Sequence, residues 1–249
     1  PGLRGAYSLD DVASGTLANS HDAANPGHAA NGPVACDGVT NSGARMSGDN
    51  TLSFPNVGHV TRNDPFTLSL WLKVPAIYER SIVLHRSRAW TDAGSQGYEI
   101  LLEDGRVSWS LIHFWPGNAI SIRSNEPLPV DEWTHVVVTS NGSATAAGLQ
   151  IYLDGEIAPH TVVRDHLTKQ ITGGGPGHLT LGARFRDRGF KLGEADELRV
   201  FDRALTPIEV ADLSGRPTLE TDEDERLYRY YLETVDEPYL AQHTSLDTA

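Results

Sequence analysis

Cysteine is almost missing from this chain of 249 residues, where Cys36 stands alone. An internal disulfide, a cysteine-based zinc site and a CxxC redox pair are therefore excluded, and a lone thiol of this kind reads as buried rather than reactive. Lysine is scarce too: Lys73, Lys169 and Lys191 are the three present, and the formal net charge is -13. Nucleic acid or an acidic membrane surface would be repelled over most of such a molecule. No apolar run approaches the roughly 18 residues that a membrane-spanning helix needs, so membrane insertion is not expected. No signal peptide opens the sequence, and its start at Pro1 reads as a cut from something longer. The histidines lack the i, i+4 pair beside a glutamate that a zinc peptidase requires, and no Gly-x-Ser-x-Gly elbow or phosphate loop occurs.

What the chain does have is short alternation. In Phe66 to Val74, Leu68, Leu70, Leu72 and Val74 point one way and Thr67, Ser69, Trp71 and Lys73 the other, the pattern of a strand with one face in a core. Arg4 to Leu9, Ala44 to Ser47, Thr51 to Phe54, Ser81 to His85, Tyr98 to Leu102, Val107 to Phe114, Ala119 to Ile122, Thr134 to Thr139, Leu149 to Leu153 and Leu179 to Ala183 read the same way. Turn signals such as Gly48-Asp49-Asn50, Asp104-Gly105 and Asp154-Gly155 separate them. Strands in this density without intervening helices predict antiparallel β, and the length fits one sandwich of about 200 to 250 residues. Ala13 to Thr40 and Glu156 to Gly177 read as long connections.

The stretch from Phe190 to Val210 closes this pattern. Alternation puts Leu192, Glu194, Asp196, Leu198 and Val200 on one strand face, leaving Asp196 among apolar neighbours. A helix follows, with Thr206 as cap, Pro207 at its first position, Glu209 completing a capping box and Gly215 as stop. A second helix is predicted over Thr221 to Val235, capped by Thr221, with Leu227, Tyr230, Tyr231, Thr234 and Val235 on a side that must cover something. The organisation predicted is a sandwich over 1–215 and an acidic helical connector to a following domain over 216–249.

Four pieces, Asp64-Pro-Phe-Thr-Leu-Ser-Leu-Trp-Leu-Lys73, Glu132-Trp-Thr-His-Val-Val-Val-Thr139, Leu149-Gln-Ile-Tyr-Leu-Asp-Gly155 and Gly193 to Leu205, resemble in order and spacing the laminin-G-like or pentraxin-like class of concanavalin A-like jelly rolls. The resemblance covers roughly Arg4 to Leu213. It implies an all-β, two-sheet antiparallel jelly-roll sandwich with a short capped helix and a C-terminal helical extension. It also implies a periplasmic, secreted or cell-surface module that binds, often a glycan, and is rarely catalytic. The tail resembles the connector that follows such modules in large bacterial proteins that also carry a cytochrome c-like domain.

Within that frame three chemistries are weighed. Catalytic members of the superfold carry E-x-D-x-E on one strand. Glu194 and Asp196 match, but Leu198 stands at the third position and Glu197 points to the other face unless a bulge intervenes, so the acid is missing and glycoside hydrolysis is disfavoured. Calcium could be held by Asp196 with Asp10 and the carbonyl of Gly48, sites carried over from the superfold. The alternative is an Asp196 that accepts backbone N–H bonds. Loop aromatics beside charges, Trp90 and Trp115 with Arg184, Arg186, Asp187 and Arg188, suit stacking on a sugar ring and reading its hydroxyls. Trp71, Trp109, Trp133 and His135 read as structural. The function expected is a non-catalytic polysaccharide-binding module, and the competing one a module that docks neighbouring domains of its own polypeptide.

Overall fold

The structure, a computed structural model, describes residues 1–90, 92–173, 177–215 and 223–239. Its strands in chain order are Leu3–Tyr7 (β1), Thr16–Leu17 (β2), Gly27–Ala30 (β3), Val34–Asp37 (β4), Ser42–Arg45 (β5), Thr51–Phe54 (β6), Phe66–Lys73 (β7), Arg80–Arg86 (β8) and Gly97–Glu103 (β9). Arg106–Phe114 (β10), Asn118–Pro127 (β11), Trp133–Ser140 (β12), Leu149–Leu153 (β13), Glu156–Ile157 (β14), His160–His166 (β15), Leu179–Gly182 (β16) and Glu194–Phe201 (β17) follow, then helices Pro207–Leu213 (α1) and Glu223–Thr234 (α2). They form two antiparallel sheets. The first runs β14-β13-β12-β7-β17-β5-β4, with β1 also on β17; the second runs β15-β11-β10-β9-β8-β16-β6-β3-β2.

The core between the sheets is filled by the apolar half of each alternating strand. Phe66, Leu68, Leu70 and Leu72 of β7 and Val136 and Val138 of β12 meet Val107, Trp109 and Leu111 of β10 and Ile120 and Ile122 of β11. Trp109 packs edge-on against Phe66 with 5.5 Å between ring centroids, and its Nε1–H donates to the Thr139 carbonyl at 3.0 Å. The two segments expected as plain connections are partly strand: Ala13 to Thr40 contains β2, β3 and β4, and Glu156 to Gly177 contains β14 and β15. Both sets lie at or near sheet edges with much of their surface in water, so no apolar alternation marks them.

The face expected for β17 is corrected by a bulge. Glu197 adopts φ 50°, and the pairing with β7 slips between Asp196 and Arg199. An extra residue reverses the alternation. Glu194 and Asp196 thus share the outer face with Lys73 and Trp71, while Ala195 and, beyond the bulge, Leu198 and Val200 enter the core. Leu192 also departs from expectation, at φ 57° and largely exposed.

α1 begins as its sequence predicts. The Glu209 carboxylate accepts from Thr206 N at 3.0 Å and also takes Arg203 at both oxygens, and Gly215 sits at φ 67°. Val210 and Leu205 pack with Val137, Tyr152 and Phe201, covering part of the first sheet's outer face. α2 lies against α1. Its Leu227, Tyr231 and Val235, expected to cover something, are exposed. The predicted cap Thr221, the middle of the Gly173 to Gly177 run and the tail from 240 onward lie outside the described residues.

Two buried histidines make stability depend on pH. His85 Nε2 is 3.1 Å from the Ala183 carbonyl and His135 Nε2 is 2.9 Å from Ser69 Oγ. Burial pushes both imidazoles down to about 4 from an ordinary 6.5. Below pH 6.5 the unfolded chain takes up protons that the fold refuses, so their contribution is complete above that value and is lost as pH falls toward 4. Urea midpoints at pH 7 and pH 5 should differ less in a His85→Gln/His135→Gln double variant than in the natural chain; equal differences would dissociate these residues from the effect.

Candidate functional site

The outer face of the second sheet carries polar side chains where the inner face carries core. Along β10, Ser108, Ser110 and Ile112 alternate with Val107, Trp109 and Leu111. Register places Ser108 opposite Leu101 and Arg123, and Ser110 opposite Glu99 and Ser121. Glu99, Leu101 and Glu103 therefore share this face. Segment 183–190 leaves β16, turns, and returns beside Ile82, while Ala89 of the loop after β8 bridges to Phe185.

A chain of alternating charges crosses the face. Arg123 contacts Glu103, which lies 3.9 Å from Arg80 Nη1. Arg80 Nε donates to Asp187 Oδ1 at 2.7 Å, Arg184 Nε donates to Asp187 Oδ2 at 3.0 Å, and Arg184 Nη1 reaches Ser87 Oγ at 2.9 Å and Glu99. Three cations and three carboxylates balance. The Asp187 and Arg184 side chains are fully buried. Burial works against the charged Asp187, but the bonds from Arg80 and Arg184 outweigh it and hold the carboxyl below its ordinary value.

Arg184 and Asp187 were expected to read sugar hydroxyls from a loop tip, and this is corrected. Their donors and acceptors are committed to each other, to Arg80 and to Glu99, out of reach of a ligand. Arg186 and Arg188 are exposed: Arg186 lies 5.2 Å from the Phe185 ring, and Arg188 Nη1 donates to Glu79 at 2.7 Å. Trp90 is 41 % exposed, with the Arg80 guanidinium 4.4 Å from its ring centroid, and Phe185 is 67 % exposed.

Trp115, in the turn after β10, has Arg164 of β15 at 5.7 Å from its ring, with exposed Phe114 beside it. Trp90 and Trp115 thus do not cluster. Each marks one side of the face, by β8 and by β15, and four strand spacings of about 4.8 Å put those strands roughly 19 Å apart. Sequence reasoning did not single out Arg80, Glu99, Glu103 and Arg123. The signal available was their parity: Glu99 and Glu103 flank Leu101 on one strand face.

Of the residues expected to gather round calcium, both aspartates are taken up by backbone N–H groups. Asp196 Oδ2 accepts from Val39 N at 2.8 Å and Thr40 N at 3.2 Å, and its Oδ1 accepts from Glu197 N at 2.9 Å. Asp10 Oδ1 accepts from Ser42 N at 2.9 Å. Both carboxylates clasp the turn between β4 and β5, whereas Gly48 abuts Gly189 and Lys191. Carboxylate oxygens facing N–H donors do not fit a hard cation, and among the described residues no three His, Cys, Asp or Glu side chains come together as a metal site. Nor does the E-x-D-x-E row form. Glu194 is held by Arg45 at 2.6 Å and Lys73 at 3.4 Å, Leu198 lies in the core, and Glu197, the bulge residue itself, is paired with Arg199 at 3.0 Å. Trp71 and Trp133 are half-buried on the outer face of the first sheet, Trp71 with its ring 4.9 Å from His135.

No curated protein matches the chain in sequence. Its fold is similar to domain 4 of AbnA, an extracellular arabinanase from Geobacillus stearothermophilus seen with arabinotriose, at 20% identity and a TM-score of 0.58 over 86% of this chain and 98% of that one. It is also similar to the binding domain of Paraclostridial Mosquitocidal Protein 1, at 15% identity and a TM-score of 0.65, and to that of botulinum neurotoxin serotype G, at 13% identity and 0.61. These cover 86% and 85% of this chain but 52% and 50% of theirs, so the chain spans about half the length of the toxin binding domains. A laminin-G-like family model, described as the concanavalin A-like lectin/glucanases superfamily, matches residues 46–211. The match runs from the end of β5 into α1, and the chain belongs to that superfamily.

Proposed function

We propose that this chain is a non-catalytic glycan-binding module of a longer secreted or periplasmic polypeptide, and that a polysaccharide lies across the outer face of the second sheet. The observation that carries this reading is the pair of aromatic and cation stations on one face, Trp90 with Arg80 and Trp115 with Arg164. A ring at a rim, exposed as Trp90 is or half-buried as Trp115 is, offers a face to the C–H face of a sugar, and the guanidinium beside it keeps the ring in place. Exposed Phe185 and Arg186 extend the first station. The absence of catalysis is supported by Glu99 and Glu103, the two strand carboxylates of this face, each of which is bound by arginine rather than placed as acid or nucleophile. The arabinotriose held by the arabinanase domain agrees with a neutral polysaccharide.

A glycan array is the direct test. Trp90→Ala and Trp115→Ala are each expected to weaken any hit by about tenfold or more, and Trp90→Ala should leave the unfolding midpoint little changed because Trp90 is at the surface. An array without hits would sink the reading. A second reading, docking of a neighbouring domain of the same polypeptide, is favoured by one observation. Leu227, Tyr231 and Val235 form an exposed stripe at i, i+4 and i+8 along and just past α2.

A further inference from the structure

A cleft of about 500 Å³ opens where β1 and β17 meet segment 56–60, and it shares no lining residue with the Trp90 and Trp115 stations. We infer that this cleft is a second sugar subsite, built for one uncharged terminal sugar residue, so that the module grips a chain end as well as a chain face. This rests on the glycan-binding reading and adds to it the place and the chemistry of a second contact.

The floor of the cleft is apolar: Val57, Val60, Phe66, Val200 and Phe201 line it, and all five are at most 8 % exposed. Such a floor suits the C–H face of a ring. Its rim is polar, with donors and acceptors interleaved. Arg4 Nε donates to Asp202 Oδ2 at 2.6 Å, a pair that leaves the remaining guanidinium N–H groups and carboxylate lone pairs at the surface. His59 Nδ1 lies 2.8 Å from Arg86 Nη2, and guanidinium only donates, so His59 accepts there and its proton resides on Nε2. Burial, with Arg86 and His178 nearby, holds this imidazole below its ordinary value, which keeps it neutral at pH 7 with one N–H to give.

Charge decides between ligand classes. Leaving the histidines aside, the lining residues count Arg4 against Asp22 and Asp202, with Arg86 behind His59 as a further cation. Carboxylates match the cations in number, so a phosphate, sulfate or uronic acid finds no surplus positive charge, while a neutral sugar places hydroxyls on both donors and acceptors. A bare cation finds too few ligands, because Asp22 is already engaged by Ala24 N and by Asn25 Nδ2.

The test is an amide-shift titration of the ¹⁵N-labelled chain with arabinotriose, with the methyl glycosides of arabinose, galactose, glucose and mannose, and with methyl glucuronide as the anionic control. Saturable shifts at Gly58, His59, Val200 and Asp202 are expected with at least one neutral probe, to persist in Trp90→Ala, and to weaken by about tenfold in His59→Ala, the loss of one hydrogen bond. The glucuronide should give none. Shifts confined to the neighbourhood of Trp90 and Phe185 would overturn the cleft and leave the module reading standing. Shifts confined to the cleft would support it and overturn the face. Preference for the glucuronide overturns the neutral-ligand assignment, and no shift with any probe overturns both readings.

Discussion

Asp187→Ala is expected to destabilise the domain by about 3–5 kcal/mol, the range for breaking one side of a buried ion pair. The carboxylate is fully buried and receives Arg80 at both oxygens and Arg184 at Oδ2. Without it Arg184, also fully buried, keeps only Glu99 and Ser87, and the nearest carboxylate left to Arg80 is Glu103 at 3.9 Å. An uncompensated guanidinium in that position costs more than the lost bonds themselves. Arg80 is also the cation beneath Trp90, so the variant should lose glycan affinity together with stability. Urea unfolding measures the first and array binding the second. Asp187→Asn, which keeps the shape and one acceptor, should fall between. A loss below about 1 kcal/mol, the level of a surface pair, would show that the charge chain is not what braces this face.

The second large effect is expected at Asp196. Its two oxygens accept three backbone N–H groups, two of them from the turn between β4 and β5 and one from the bulge residue Glu197. Asp196→Ala is expected to cost roughly 3 kcal/mol, since each N–H left without a partner costs about 1–3 kcal/mol and water can reach part of the exposed turn. Asp196→Asn should cost less but not nothing, because its amide nitrogen must face an N–H donor at whichever oxygen it replaces. The group also titrates. Burial pushes the carboxyl up to about 6 against the pull of the three N–H groups. Between its ordinary 3.8 and that value the fold holds a proton that the unfolded chain has released, so this residue's contribution is largest at low pH and declines as pH rises through 6. Its sense opposes that of His85 and His135. The stability difference between the natural chain and Asp196→Asn, measured at pH 4.5 and pH 7, should change in that direction; a difference independent of pH would dissociate the carboxyl from it.

These two aspartates also mark what the sequence could and could not convey. Strands such as β7, β10 and β12 were legible because each has one dry face, and period-two alternation records that fact alone. β4 and β15 have little dry face, so nothing in their residues distinguished them from loop. The bulge at Glu197 could be named only as a condition, because one inserted residue leaves composition unchanged but exchanges the two faces of every position after it. Asp196 was recognised as a buried carboxylate, and the backbone partners considered for it are supplied by the N–H groups of the turn. For Arg184 and Asp187 the local run Phe185-Arg186-Asp187-Arg188 looked like an open loop tip. What buries them, Arg80 and Glu99, lies about a hundred residues earlier in the chain, where local reading does not reach.

The pairing of β17 with β1, β5 and β7 has a kinetic side. Residues Leu3 and Phe201 are partners across nearly the whole sandwich, and β7 has β17 as one of its two neighbours. Contacts of such separation make for slow folding, because chain closure precedes the reward for it. A ribosome making this polypeptide N-terminus first therefore exposes β7 along one edge until the strand beginning at Glu194 has emerged. Nascent chains stopped before that point should be sensitive to protease and prone to edge-to-edge association, and those extended past α1 should be resistant.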